Sequence, residues 1–195
     1  MELRIATPEQ LREVFHRDLL SAFPDAELKP LEAMEKLWAE GWYKPYCLFD
    51  GDEIVGEAFL WLGHPGWAIV DYLCVSASRR NDGLGAEIIR MLQELEPETV
   101  FFGEVEAPEH APDPDMANRR LGFYARCGLR MADYDTAMFG IHYKTLYFCK
   151  GEVDQQRLMQ EHDFIYRSTF DPEKFRKYVR IPYQGGDLTQ VAWDQ

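Results

Sequence analysis

Trp67-Ala68-Ile69-Val70-Asp71-Tyr72-Leu73-Cys74-Val75, followed after three small residues by Arg79-Arg80-Asn81-Asp82-Gly83-Leu84-Gly85, is the stretch on which the fold turns. The first nine residues are apolar except Asp71, the pattern of a central strand covered on both faces. The glycines that follow remove Cβ atoms where backbone N–H groups must crowd an anion, and they open a helix near Leu84 whose dipole favours phosphate. Leu84, Ile88, Met91, Leu92 and Leu95 carry that helix at helical spacing. Arg80 adds a positive charge. Two familiar phosphate loops are excluded, because G-x-x-x-x-G-K-[ST] is absent and Gly83-Leu84-Gly85-Ala86-Glu87-Ile88 lacks the third glycine of a dinucleotide fingerprint. On spacing alone, an ordinary strand-to-helix turn explains the loop equally well.

Upstream, Tyr43 to Phe49 and Glu53 to Leu62 read as two strands joined by the turn Asp50-Gly51-Asp52. Before them stand two helices. The first opens on the capping box Thr7-Pro8-Glu9-Gln10 after a short strand from Leu3 to Ala6, and the second carries Leu31, Met34, Leu37 and Trp38 and stops at Gly41. Downstream, the pattern predicts a strand over 100–105, a loop over 109–115, a helix from about Asp115 to Cys127 ending at Gly128, and strands over 129–132 and 143–150. Val153 to Arg167 reads as a helix, and Asp171-Pro172-Glu173 caps a last short one. The expected fold class is α/β, with a mixed, mostly antiparallel sheet flanked by helices, a domain over 1–150 and a C-terminal helical extension over 151–195 packed on it.

Leu73-Cys74-Val75 running into Arg80-Asn81-Asp82-Gly83-Leu84-Gly85 resembles the acyl-CoA-binding motif of the GNAT acetyltransferase superfamily, R/Q-x-x-G-x-G/A after a strand ending L-x-V. Phe123-Tyr124-Ala125-Arg126-Cys127-Gly128-Leu129 resembles that family's later F-Y-x-x-x-G-F segment, with Leu129 in place of the usual phenylalanine. The resemblance implies an acyl-CoA N-acyltransferase fold with acetyl-CoA as co-substrate. Its pyrophosphate would sit on the amides of the Arg80–Gly85 loop and its pantetheine arm on the backbone of Leu73, Cys74 and Val75. It also implies that Tyr124 reaches the thioester sulfur; a core tyrosine is the alternative, since Ala117, Leu121 and Tyr124 share a helix face. Nothing in the minimal family fold corresponds to the residues after 150.

Acetyl transfer to an amine needs an uncharged nucleophile, an oxyanion stabiliser and a proton for the departing thiolate. Tyr124 is the candidate acid. Asp71, enclosed by apolar neighbours, and Glu104 are candidate bases, with Glu106 two residues on and Glu57 on the preceding strand as further carboxylates able to line an acceptor pocket. A solvated or structural carboxylate is the alternative for each. The five histidines, His16, His64, His110, His142 and His162, have no metal-ligand spacing, and no metal is expected. Cys47, Cys74, Cys127 and Cys149 form no C-x-x-C pair and read as buried thiols.

The 195 residues are 46% hydrophobic and 28% charged, an ordinary globular composition. Aspartate and glutamate number 34 against 21 lysine and arginine, a net charge of −13 that speaks against a nucleic-acid partner and for a cationic acceptor. The residues carry neither a membrane-spanning run nor a signal-peptide pattern, so a cytoplasmic location is expected. The function expected is transfer of acetyl from acetyl-CoA to a primary amine of a small molecule or peptide by direct attack in a ternary complex. The alternatives are a catalytically silent acyl-CoA-binding sensor or structural module, or an acyltransferase with another donor or a hydroxyl acceptor. Oligomeric state stays open, a homodimer included, since an edge strand near Tyr143–Lys150 could pair with a partner or be covered by the tail.

Overall fold

The computed structural model describes residues 1–192, which gather into two compact units, Met1–Leu62 with Val70–Pro97, and Gly63–Ile69 with Glu98–Ala192. In the first unit, β1 (Glu2–Ile5) leads to Thr7, whose side chain accepts the Gln10 N–H while Gln10 bonds back, so α1 (Pro8–Val14) starts on a complete capping box. The helix then widens into a π-helical turn over Phe15–Leu19 before α2 (Leu20–Ala22). That turn takes Asp18 into the interior with Leu19. After α3 (Leu31–Ala39), β2 (Tyr43–Asp50) pairs antiparallel with β1 and with β3 (Glu53–Leu62). β4 runs over Trp67–Val75 and α4 over Leu84–Leu95. Gly56 explains how closely α4 approaches the strands: a Cβ there would stand 2.9 Å from the Cys74 carbonyl oxygen and 3.0 Å from Ile88 Cδ1. Only glycine fits without displacement.

In the second unit, Trp67–Ile69 of β4 pair in parallel with Val100–Phe102 of β5 (Val100–Glu106). After α5 (Pro114–Arg126), β6 (Arg130–Met138) and β7 (Ile141–Phe148) form an antiparallel pair, and β7 also lies antiparallel to β5. The strand expected near Tyr143–Lys150 to present an edge is therefore interior. Hydrogen bonds to β5 and β6 occupy both of its sides, and β6 extends to Met138 instead of stopping at Ala132. Within the extension, α6 (Gln155–Thr169), α7 (Pro172–Tyr178) and β8 (Val179–Arg180) follow, and β8 adds to β6. Ile165 of α6 comes so near Gly63 that a Cβ there would meet it at 3.0 Å. The extension is thus built into the second unit; its last residues, 193–195, lie outside the described residues. Strand pairing in both units is mostly antiparallel with β4–β5 parallel, so the fold is α/β with a mixed, mostly antiparallel sheet flanked by helices. No helix among the described residues is long and apolar enough to cross a membrane.

Candidate active site

The glycine loop leaves β4 through a 3₁₀ turn, Ala77–Arg79. Its two arginines part company there. Arg79 is held by Asp50 and Asp82, each at 3.1 Å, while Arg80 is exposed and forms no ion pair among the described residues. Asn81 and Gly83 take left-handed backbone angles, φ 71° and 79°, and Gly83 caps α4. Beyond its own chain neighbours, no described atom lies within 4 Å of where a Gly83 Cβ would stand. The first-turn amides of Gly83, Leu84 and Gly85 have no carbonyl one turn back to bond, so the loop offers donors, the positive end of α4 and open space together. That arrangement fits a phosphate group.

On β4, Leu73 and Val75 are half-buried and Cys74 is buried. Asp71, two residues earlier, is fully engaged. Lys29 Nζ lies 2.6 Å from its Oδ1, and the Tyr43 hydroxyl donates to its Oδ2. The Lys29 ammonium stands 3.9 Å over the centre of the Trp61 ring, and its main-chain N–H donates to the Tyr72 hydroxyl at 2.8 Å, which in turn donates to the Glu27 carbonyl at 2.9 Å.

Glu57 of β3 is buried in a different way. It faces Cys47 across the β2–β3 register, and neither carboxylate oxygen has a hydrogen-bond partner in ordinary geometry. Burial first, and then the charge of Asp18, push its pKa up to about 8, against the pull of the Cys74 thiol and Arg17. Burial and the nearby Glu57 likewise push the Cys74 thiol up to about 12, which makes it a poor nucleophile. Arg17 clamps Asp18 through Nε and Nη2 at 2.9 and 2.7 Å, and Ser76 joins them.

In the second unit, Glu104 of β5 meets two side chains of α6. His162 Nε2 lies 2.6 Å from its Oε1 and the Tyr166 hydroxyl 3.0 Å from the same atom, while His162 Nδ1 lies 3.1 Å from the Tyr134 hydroxyl. An ionised carboxylate only accepts, so the imidazole donates to Glu104 from Nε2. Glu106 is half-buried, and desolvation raises its pKa. His64 lies 2.9 Å from Glu161 and stacks on Phe164 at 3.9 Å, so the turn before β4 is tied to α6 as well. Tyr124 is half-buried near the end of α5, edge-on to Phe123, with its carbonyl accepting the Leu129 N–H at 3.1 Å. Gly128, at φ 85°, ends the segment as expected. No group of three or more His, Cys, Asp or Glu among the described residues is arranged to hold a metal ion.

Asp71, Leu73–Val75 and the Arg80–Gly85 loop thus belong to the first unit, and Glu104 and Tyr124 to the second. Sequence reasoning missed Lys29, Tyr43 and His162. His162 left a signal: with Leu158, Ile165 and Tyr166 it falls on the apolar face of a helix, where an imidazole needs partners. Lys29, alone between Leu28 and Pro30, left none.

No curated protein matches the chain in sequence. Among solved structures, it is similar to a protein from Bacteroides thetaiotaomicron assigned to the GNAT family of acetyltransferases, at 19% identity and a TM-score of 0.70 over 86% of this chain and 97% of that one. It is also similar to a Bacillus subtilis acetyltransferase in complex with CoA (15% identity, TM-score 0.53, 77% and 100% covered). A third is a chimera of the Vibrio cholerae spermidine N-acetyltransferase SpeG and hSSAT (12%, 0.58, 82% and 99%). These likenesses concern the fold. The model of the Acetyltransferase (GNAT) family matches residues 9–129, from α1 through the glycine loop to the end of the Tyr124 segment, and since that is more than half of its length the chain belongs to this family.

Proposed function

We propose that the chain binds acetyl-CoA at the Arg80–Gly85 loop and transfers the acetyl group to a primary amine by direct attack in a ternary complex. The observation that carries this reading is the left-handed Gly83 cap of α4 with open space in front of it, beside an exposed Arg80 that forms no ion pair among the described residues. Amides of Gly83, Leu84 and Gly85 would hold the pyrophosphate, with Asn81 and Asp82 shaping the turn and Arg80 adding charge. The backbone of Leu73, Cys74 and Val75 would hold the pantetheine arm. Bound acetyl-CoA supplies an activated thioester. Asp71 or Glu104 accepts a proton from the acceptor ammonium, and Tyr124 donates one to the departing sulfur. The net charge of −13 favours a cationic acceptor, as does the likeness to a spermidine acetyltransferase.

Calorimetry with CoA tests the loop. Gly83→Val puts a branched side chain into the open space and abolishes binding; Arg80→Ala weakens it by roughly 1.5–3 kcal/mol, the worth of a charge-assisted hydrogen bond. Unchanged affinity in both variants overturns the site. Thiol release from acetyl-CoA across a panel of primary amines tests transfer, and saturable CoA binding without release on any of them overturns it. Tyr124→Phe lowers the single-turnover rate by about 10²–10⁴-fold if the phenol is the acid, and an undiminished rate removes it from that role.

A further inference from the structure

The surroundings of Lys29 are those of a bound ligand more than of a surface side chain. Its side chain is 2% exposed, against 72% for Lys36 and 77% for Lys150. One carboxylate takes its ammonium at 2.6 Å, one phenol steadies that carboxylate from the other side, and two aromatic faces approach it, Trp61 at 3.9 Å and Tyr72 at 5.5 Å. Carboxylate plus aromatic faces is the shell that a primary ammonium group requires in order to leave water. The segment that delivers it, between Pro24 and Pro30, is anchored at both the Lys29 N–H and the Glu27 carbonyl by a single hydroxyl, that of Tyr72. Asp71 stands two residues before Leu73 on β4, on the same face and about 7 Å along the strand. If the backbone from Leu73 to Val75 holds the acyl-CoA arm, Asp71 and the primary amine it holds lie two residues up the same strand face from that arm.

We propose that Lys29 is an acceptor within the chain itself, a modification site at which the protein acetylates its own ε-amine from bound acetyl-CoA. The inference rests on the function proposed above. Asp71 takes one proton from the Lys29 ammonium. The freed Nζ lone pair attacks the thioester carbonyl carbon, the C–S bond breaks, and sulfur leaves with the bonding pair. The second ammonium proton passes to that sulfur, so the products are an amide at Lys29, CoA thiol and one proton that Asp71 returns to water. The amide carries no charge, and the ion pair with Asp71 ends.

The test is peptide mass spectrometry of the full chain incubated with isotopically labelled acetyl-CoA, with calorimetry of acetyl-CoA binding on the same preparation. Lys29 takes up label at least about tenfold faster than the exposed Lys36 and Lys150, which report plain chemical acetylation, because a held amine gains from proximity. The rate per molecule is independent of protein concentration. Label at Lys29 disappears in Gly83→Val and in Asp71→Asn, and Lys29→Arg keeps a cation in the cage while leaving no labelled residue there. The wild-type comparison among the three lysines decides the matter even if Asp71→Asn fails to fold. Acetyl-CoA bound with Lys29 unlabelled, label no faster than on Lys36, or a rate rising with protein concentration overturns self-acetylation and leaves the proposed function standing. Absence of acetyl-CoA binding in the wild type overturns the proposed function, and this inference with it.

Discussion

Glu57 and Asp71 are two carboxylates buried on neighbouring strands of the same unit, and they are treated in opposite ways. Asp71 has a cation on one oxygen and a phenol on the other; Glu57 has, among the described residues, only the weak Cys74 thiol beside it and no partner in ordinary hydrogen-bond geometry, and at a pKa of about 8 it holds its proton at neutral pH. Burial penalises the charged form of both. The difference lies in whether another part of the chain brings a donor. A buried acid in a strand is therefore no guide to catalysis until its partners are counted, and the sequence neighbours that enclosed Asp71 did not include them.

The contrast is broken most sharply at Lys29. Lys29→Met leaves Asp71 buried without its cation and costs about 3–5 kcal/mol in denaturant unfolding. A loss below about 1 kcal/mol would put Asp71 in the same class as Glu57. Glu57 itself is probed by pH. Its folded pKa of about 8 lies above the ordinary 4.5, so between those values the folded chain holds a proton that the unfolded chain has released. Its contribution is complete below pH 4.5 and is lost as pH rises towards 8, at up to about 1.4 kcal/mol per pH unit. Glu57→Gln removes that slope from thermal unfolding measured between pH 5 and 8, and an unaltered slope would mean that Glu57 is charged and partnered after all. Glu104 supplies an intermediate case: His162→Leu withdraws one of its donors and costs about 1–3 kcal/mol, read as a fall in the denaturation midpoint. At the small end stands Arg90, half-exposed on α4 between Glu87 and Glu94. Arg90→Ala leaves the denaturation midpoint nearly unchanged by the same measurement, because water competes for both partners; a clear fall would mean that partner number outweighs burial.

The elements whose cause is local were legible. Thr7-Pro8-Glu9-Gln10 starts α1, Gly41 and Gly128 terminate the segments before them, and the apolar run Trp67–Val75 is a strand, because caps, left-handed glycines and period carry their own physics. The loop from Arg80 to Gly85 was legible for the same reason, although one of the two carboxylates that hold Arg79, Asp50, lies 29 positions before it. The π-helical turn at Phe15–Leu19 was not legible, since its residues have ordinary helical spacing and the extra width serves the Arg17–Asp18–Ser76 contact across 58 positions. Lys29 and Asp71 are 42 positions apart and Glu104 and His162 are 58 apart. Periodicity reports on one element at a time, and such pairings exist only once several elements have met.

One strand, finally, has two allegiances. Trp67–Ile69 of β4 count with the second unit and Val70–Val75 with the first. As the chain leaves the ribosome, Val70–Val75 find β3 already made, whereas Trp67–Ile69 have their parallel partners in Val100–Phe102, which emerge only after the whole of α4. At synthesis rates of about 5–20 residues per second, the pairing of this strand end with β5 waits for seconds, although Trp67 already bonds Gly63 and His64 in the preceding turn. In that interval the nascent polypeptide depends on Gly63-His64-Pro65-Gly66, a stretch poor in strand formers, to keep the waiting end from pairing with a neighbouring chain.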